Sequence, residues 1–95
     1  MKIYIAGKIT DFPAYKKVFD EAEERLKEKG HAVMNPSVLP DGFEHGDYMK
    51  ICFSMIDVCD AAYFLFNWRD SVGARMEHDY AHNEGKVIFY QEGLA

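Results

Sequence analysis

The chain has 95 residues, of which 48% are hydrophobic and 28% charged, and it carries a formal net charge of −5. That length makes one domain, residues 1–95, with a modest core, and excludes a second independent domain. The composition is that of a folded globular protein, and the acidic balance argues against a main role on a nucleic-acid backbone, where Lys and Arg must neutralise phosphates.

No apolar run approaches the roughly 20 residues that span a bilayer, and Met1-Lys2-Ile3 enters a strand-like segment directly, with no signal peptide. Cys52 and Cys59 lie on what reads as one helix, with Cα atoms about 10 Å apart, beyond the reach of a disulfide. Two unbridged thiols without CxxC spacing fit a reducing compartment. The expectation is a cytoplasmic protein with neither a membrane nor a nucleic-acid polymer as partner.

Lys2 to Ala6 is a β-rich run ended by Gly7, and residues 8–12 form a loop before Pro13. From Pro13, the apolar positions Tyr15, Val18, Phe19, Ala22 and Leu26 mark one face of an amphipathic helix that Lys29-Gly30 stops. His31 to Met34 is a second short strand, ended by Asn35-Pro36. Residues 37–46 read as one long irregular loop, of the kind that commonly covers a site. Asp47 to Asp57 reads as the second helix. Met49, Cys52, Phe53 and Ile56 share a face while Ile51, Met55 and Val58 thicken the apolar surface. A helix apolar on more than one face suggests a subunit contact, hence a homo-oligomer, dimer or higher.

Asp60 leads into Ala61 to Phe66, a continuous apolar run suited to a central parallel strand. Asp70 to Ala81 reads as a turn that becomes a helix. Gly73 near its first turn lets backbone N–H groups approach a ligand, the helix dipole favours an anion, and Glu77 lies one turn further in, facing the same mouth. Lys86 to Tyr90 gives a fourth strand and residues 91–95 a tail. The order βαβαβαβ implies an α/β domain, three-layered and flavodoxin- or Rossmann-like, with a four-stranded parallel sheet and three helices. Ligands bind outside the carboxyl ends of such strands. Gly7-Lys8, Asn35-Pro36, Asn67-Trp68-Arg69 and Ser71 to Gly73 are therefore expected to converge.

Four runs carry a resemblance: Lys2-Ile3-Tyr4-Ile5-Ala6-Gly7; Gly30-His31 with Asn35-Pro36; Cys59-Asp60-Ala61 with Phe64-Leu65; and Gly73-Ala74-Arg75-Met76-Glu77-His78. In this order, over nearly the whole chain, they resemble a short, often phage-encoded family of unknown function (DUF4406-like). That family looks like a minimal member of the nucleoside 2-deoxyribosyltransferase superfamily. The resemblance implies that Glu77 is a glutamate nucleophile attacking the anomeric carbon, as in a retaining glycosidase. It implies Tyr4 as the orienting partner and a nucleoside or nucleotide as ligand, with no cofactor and no metal. Where relatives take 5′-monophosphates, the phosphate lies among the first-strand loop and a serine before the glutamate helix. Lys8, Thr10 and Ser71 stand there, with Arg75 a further candidate. Family members usually carry a base-protonating aspartate where this chain has Cys52, and a thiol is a poor general acid. Either Asp57 takes over, or the proton comes from elsewhere, or nucleotides are bound without cleavage.

Gly7, Asn35, Asp60, Trp68 and Gly73 complete the candidate contacts. Asp60 also reads as a structural cap and Trp68 as either a base-stacking rim or a packing anchor. His78 and His82 have metal-compatible spacing but read as surface residues, with no third ligand in sight. Three functions stay open: N-glycosidic transfer or hydrolysis, non-catalytic nucleotide binding or sequestration, and an oligomeric interaction module with a vestigial pocket.

Overall fold

Successive strand residues point to opposite faces of a sheet, and the alternation in the first strand separates two cores. In the computed structural model, which describes residues 1–91, β1 (Lys2–Ala6), β2 (Ala32–Met34), β3 (Ala61–Phe64) and β4 (Val87–Tyr90) form one sheet in the order β2-β1-β3-β4. Every neighbouring pair is parallel. On one face Ile3, Ile5, Ala61 and Leu65 pack against Phe19, Ala22 and Leu26 of α1 (Tyr15–Glu28). On the other, Tyr4, Ala6, Ala62 and Phe64 pack against Cys52 and Ile56 of α2 (His45–Asp57) and Ala74 and Ala81 of α3 (Val72–Asn83). This is the expected three-layer α/β arrangement with four parallel strands and three helices. No helix among the described residues is long and apolar enough to cross a membrane.

Several boundaries differ from the sequence reading, each for a local reason. The second helix begins at His45, two residues before Asp47, because Asp47 sits inside its first turn and turns its carboxylate back to accept from the Glu44 N–H at 3.1 Å, half of a capping box. The loop expected over residues 37–46 starts with a 3-10 turn, Pro36–Val38, whose N-cap Asn35 accepts the Ser37 N–H at 2.9 Å. The first helix starts at Tyr15, after a turn in which the Tyr15 N–H donates to Phe12 O. The third strand ends at Phe64, where the chain bends over the sheet into a second 3-10 turn, Trp68–Asp70. Cys59 lies past the end of α2, and both cysteines are free and buried. Of the expected tail, residues 92–95 lie outside the described residues; the Gln91 side chain accepts from the Phe66 N–H at 2.9 Å.

The ends of β1 and β3 approach each other because Gly7 has no side chain. A Cβ there would stand 2.7 Å from Leu65 Cδ1 and 3.0 Å from Leu65 Cβ, and Leu65 is fully buried. In urea unfolding, Gly7→Ala is expected to cost about 1–3 kcal/mol. Gly46, helical and with open space around it, should instead gain a fraction of about 1 kcal/mol as Ala. Equal midpoints for the two variants would contradict this close approach.

Candidate functional site

The connection through α1 runs to one side of β1, and the connection through α2 returns to the other, so the winding reverses between β1 and β3. A crevice opens beyond the carboxyl ends of the strands at such a switch point. Here it is a cleft of about 220 Å³. The end of β1 contributes Tyr4, Gly7, Ile9 and Thr10, and α1 contributes Tyr15 and Phe19. Pro36, Ser37, Leu39, Pro40 and Asp41 form one wall, His45, Tyr48, Met49 and Cys52 of α2 another, and Ser71, Gly73, Ala74 and Glu77 a third.

The floor is a buried carboxyl group with neutral donors around it. Ala74, Glu77 and Ala81 are the buried residues of α3, so Glu77 stands in the helix's core stripe, where an apolar residue is the usual occupant. It is 6% exposed, Tyr4 is fully buried, and the Tyr4 hydroxyl donates to Glu77 Oε2 at 3.0 Å. Burial pushes the Glu77 pKa from 4.5 up to about 7, against hydrogen bonds from Tyr4 and Cys52 that favour the carboxylate. Burial, and then the charge of Glu77, push the Cys52 thiol up to about 12. The same two causes hold Tyr4 well above its ordinary value of 10. Glu77 is therefore the member of this trio that loses its proton near neutrality, while the hydroxyl and the thiol remain donors.

The mouth is built by the start of α3 and the loop before α2. Ser71 caps α3, its Oγ accepting the Ala74 N–H at 3.1 Å. A Cβ on Gly73 would lie 3.5 Å from Met49 Sδ and 3.7 Å from His45 Cε1, so α2 and α3 nearly touch there. Tyr48 ties the loop down: its hydroxyl donates to Pro40 O at 2.7 Å and accepts the Phe43 N–H at 3.2 Å.

Of the residues expected at a site, Tyr4, Gly7, Thr10, Ser71, Gly73 and Glu77 line this cleft. The others stand outside its lining. The Lys8 backbone N–H donates to Asn67 Oδ1 at 3.1 Å. Asn35 Nδ2 donates to Asp20 and Glu23, both at 2.9 Å. Asp60, at the opposite end of the sheet, accepts the Lys2 N–H at 2.9 Å, which lowers its pKa. Arg75 Nη1 donates to Arg69 O at 2.7 Å. Asp57 follows Cys52 by five residues, about 140° around the helix, and accepts the Tyr80 hydroxyl on an exposed surface. Trp68 is buried between Phe64 and His78, with its indole N–H unpartnered among the described residues. His78, expected on a solvated face, is partly buried instead. It stacks on Trp68 at 4.3 Å and shares a hydrogen bond with the Tyr90 hydroxyl at 2.7 Å. Among the described residues no group of three or more His, Cys, Asp or Glu is placed to hold a metal ion.

His45, Tyr48 and Asp41 line the cleft without having been singled out in sequence. Glu44-x-x-Asp47 was the available signal, since reading it as a capping box starts the helix at His45 and brings that residue to the mouth.

A family model described as a domain of unknown function (DUF4406) matches residues 1–90. No curated protein matches the sequence. Among solved structures, a 2-desoxiribosyltransferase from Leishmania mexicana superposes with a TM-score of 0.74 at 21% identity, over 94% of this chain and 62% of that one. The likeness is one of fold, and the chain spans less than two thirds of that protein's length.

The Glu77 pKa makes stability depend on pH. The folded value of about 7 lies above the ordinary 4.5, so between the two the folded state holds more protons than the unfolded one, and stability falls as pH rises through that window. Glu77→Gln removes the cost of ionisation. At pH 8 it should be more stable than wild type by about 1–3 kcal/mol, and near pH 4 the difference should vanish. Thermal melts of both proteins across this range check the outcome; a gap independent of pH would contradict it.

Proposed function

The chain belongs to the DUF4406 family, and on that footing we propose that it carries out N-glycosidic bond chemistry on nucleosides or nucleotides, transfer or hydrolysis, with Glu77 as nucleophile. The observation that carries this reading is the hydrogen bond from Tyr4 to a Glu77 carboxyl on the floor of a cleft at the switch point of the sheet. A helical side chain leans toward the helix N-terminus, so Glu77 is directed at the mouth of the cleft. Its carboxylate attacks C1′, the base departs with the bonding pair and a proton, and a glycosyl ester remains on Glu77. Water or a second base then takes the sugar. Tyr4 holds one carboxylate oxygen so that the attacking orientation is already populated. The fold shared with the Leishmania mexicana protein, described as a 2-desoxiribosyltransferase, supports the same reading. Ile51 on α2 and Val58 just past its end, both exposed, support self-association of copies.

A second reading, nucleotide binding without cleavage, is favoured by one observation. Beside Glu77 stands the Cys52 thiol, pushed up to about 12, which is too weak an acid to assist a leaving base.

Incubation with a panel of deoxynucleosides and their 5′-monophosphates, followed by chromatography for free base, separates the two. N-glycosidic chemistry predicts released base, at a rate that rises with pH through about 7 as Glu77 ionises. Glu77→Ala should lower the rate by at least about 1000-fold and Tyr4→Phe by about 10–100-fold. A thermal shift with some nucleotide but no base from any substrate would overturn the catalytic reading in favour of the binding one.

A further inference from the structure

Resting on the N-glycosidic reading, we propose that His45 is the acid that hands a proton to the leaving base. When the C1′–N bond breaks, its electron pair stays on the base nitrogen, and a neutral base departs only if that nitrogen receives a proton. Glu77 is occupied as nucleophile. Tyr4 and Cys52 are both weak acids here, and Tyr4 already donates to Glu77. The Tyr48 hydroxyl proton is taken by Pro40 O. Asp41 and His45 remain in the lining, and His45 is the one set against the Gly73 end of α3, its imidazole making no hydrogen bond among the described residues.

Its position suits the role. His45 Cε1 is 3.7 Å from the point where a Cβ on Gly73 would stand. Glu77 follows Gly73 by one helical turn, about 6 Å along the axis, and its side chain leans back toward Gly73. The imidazole and the carboxyl group thereby line the same cleft on either side of Gly73, with the floor left to the sugar and the mouth to the base. Imidazole is also the side chain best suited to exchanging a proton near neutral pH. The charged neighbours are acidic: Asp41 and Glu77 in the cleft wall, Glu44 and Asp47 beside His45 in sequence.

In the step, Glu77 bonds to C1′, the C1′–N bond breaks, and the base nitrogen takes the proton from a His45 ring nitrogen. The imidazole regains a proton from the attacking water, or from the incoming base in transfer, as the glycosyl ester is resolved.

The test compares two substrates with wild type, His45→Gln and Asp41→Asn. In 7-methyl-2′-deoxyguanosine the base is already cationic and leaves without a proton, whereas in 2′-deoxyadenosine it requires one. His45→Gln should lose about 100-fold or more on deoxyadenosine but no more than about threefold on the methylated nucleoside, whose continued cleavage also reports an intact fold. Asp41→Asn should show no such split. Equal losses of His45→Gln on both substrates, no loss on either, or the split in Asp41→Asn instead would each overturn the assignment to His45 while leaving the glycosidic reading intact. A wild-type protein inert on both nucleosides and on their 5′-monophosphates would overturn the two together.

Discussion

A carboxyl group in the core of a small domain is the constraint on which the rest depends. Glu77 occupies a place in α3 between Ala74 and Ala81 where a leucine would contribute stability without conditions. Burying a carboxyl there is tolerable only with donors to meet its oxygens, and Tyr4 is aimed at it from the central strand. That strand must put its even-numbered side chains on the α2 and α3 face, so the register of β1 is tied to the chemistry of the cleft. A slip of one residue would send Tyr4 to the α1 side and take from Glu77 the hydroxyl that meets it.

The two faces of the sheet are unequally covered. α1 alone packs one side, while α2 and α3 share the other. At the edge, Val87 and Phe89 of β4 stay 44% and 40% exposed. The side with two helices is the side that carries the cleft, because only there do two helix ends meet above the carboxyl ends of β1 and β3. Residues from every layer then contribute to one wall or another, and few side chains in the cleft could be changed without also touching the core.

Much of this was legible in sequence because it is periodic. The apolar strand runs, the apolar face of α1, and the Gly73 to Glu77 spacing all report one-dimensional patterns that the fold obeys. What escaped depends on partners distant in the chain. Nothing near Lys8 in sequence announces that its backbone N–H is met by Asn67, or that Asp60 serves the start of β1. Trp68, which reads as either rim or packing anchor, and His78, which reads as a surface residue, find their places only when Tyr90, from the last strand, arrives beside them. The late start assigned to α2 is a different kind of miss: the capping residues are local, but Asp47 serves equally well as a first residue or as an inner member of a box. That choice decided whether His45 belonged to a loop or to the site.

The Tyr48 hydroxyl has a mechanical consequence. By engaging Pro40 and Phe43 at once from within α2, it joins the covering loop to the first turns of the helix as one lever. Asp41 and His45 are thereby held in one unit, so that moving the loop away from the helix would cost both hydrogen bonds of a single phenol.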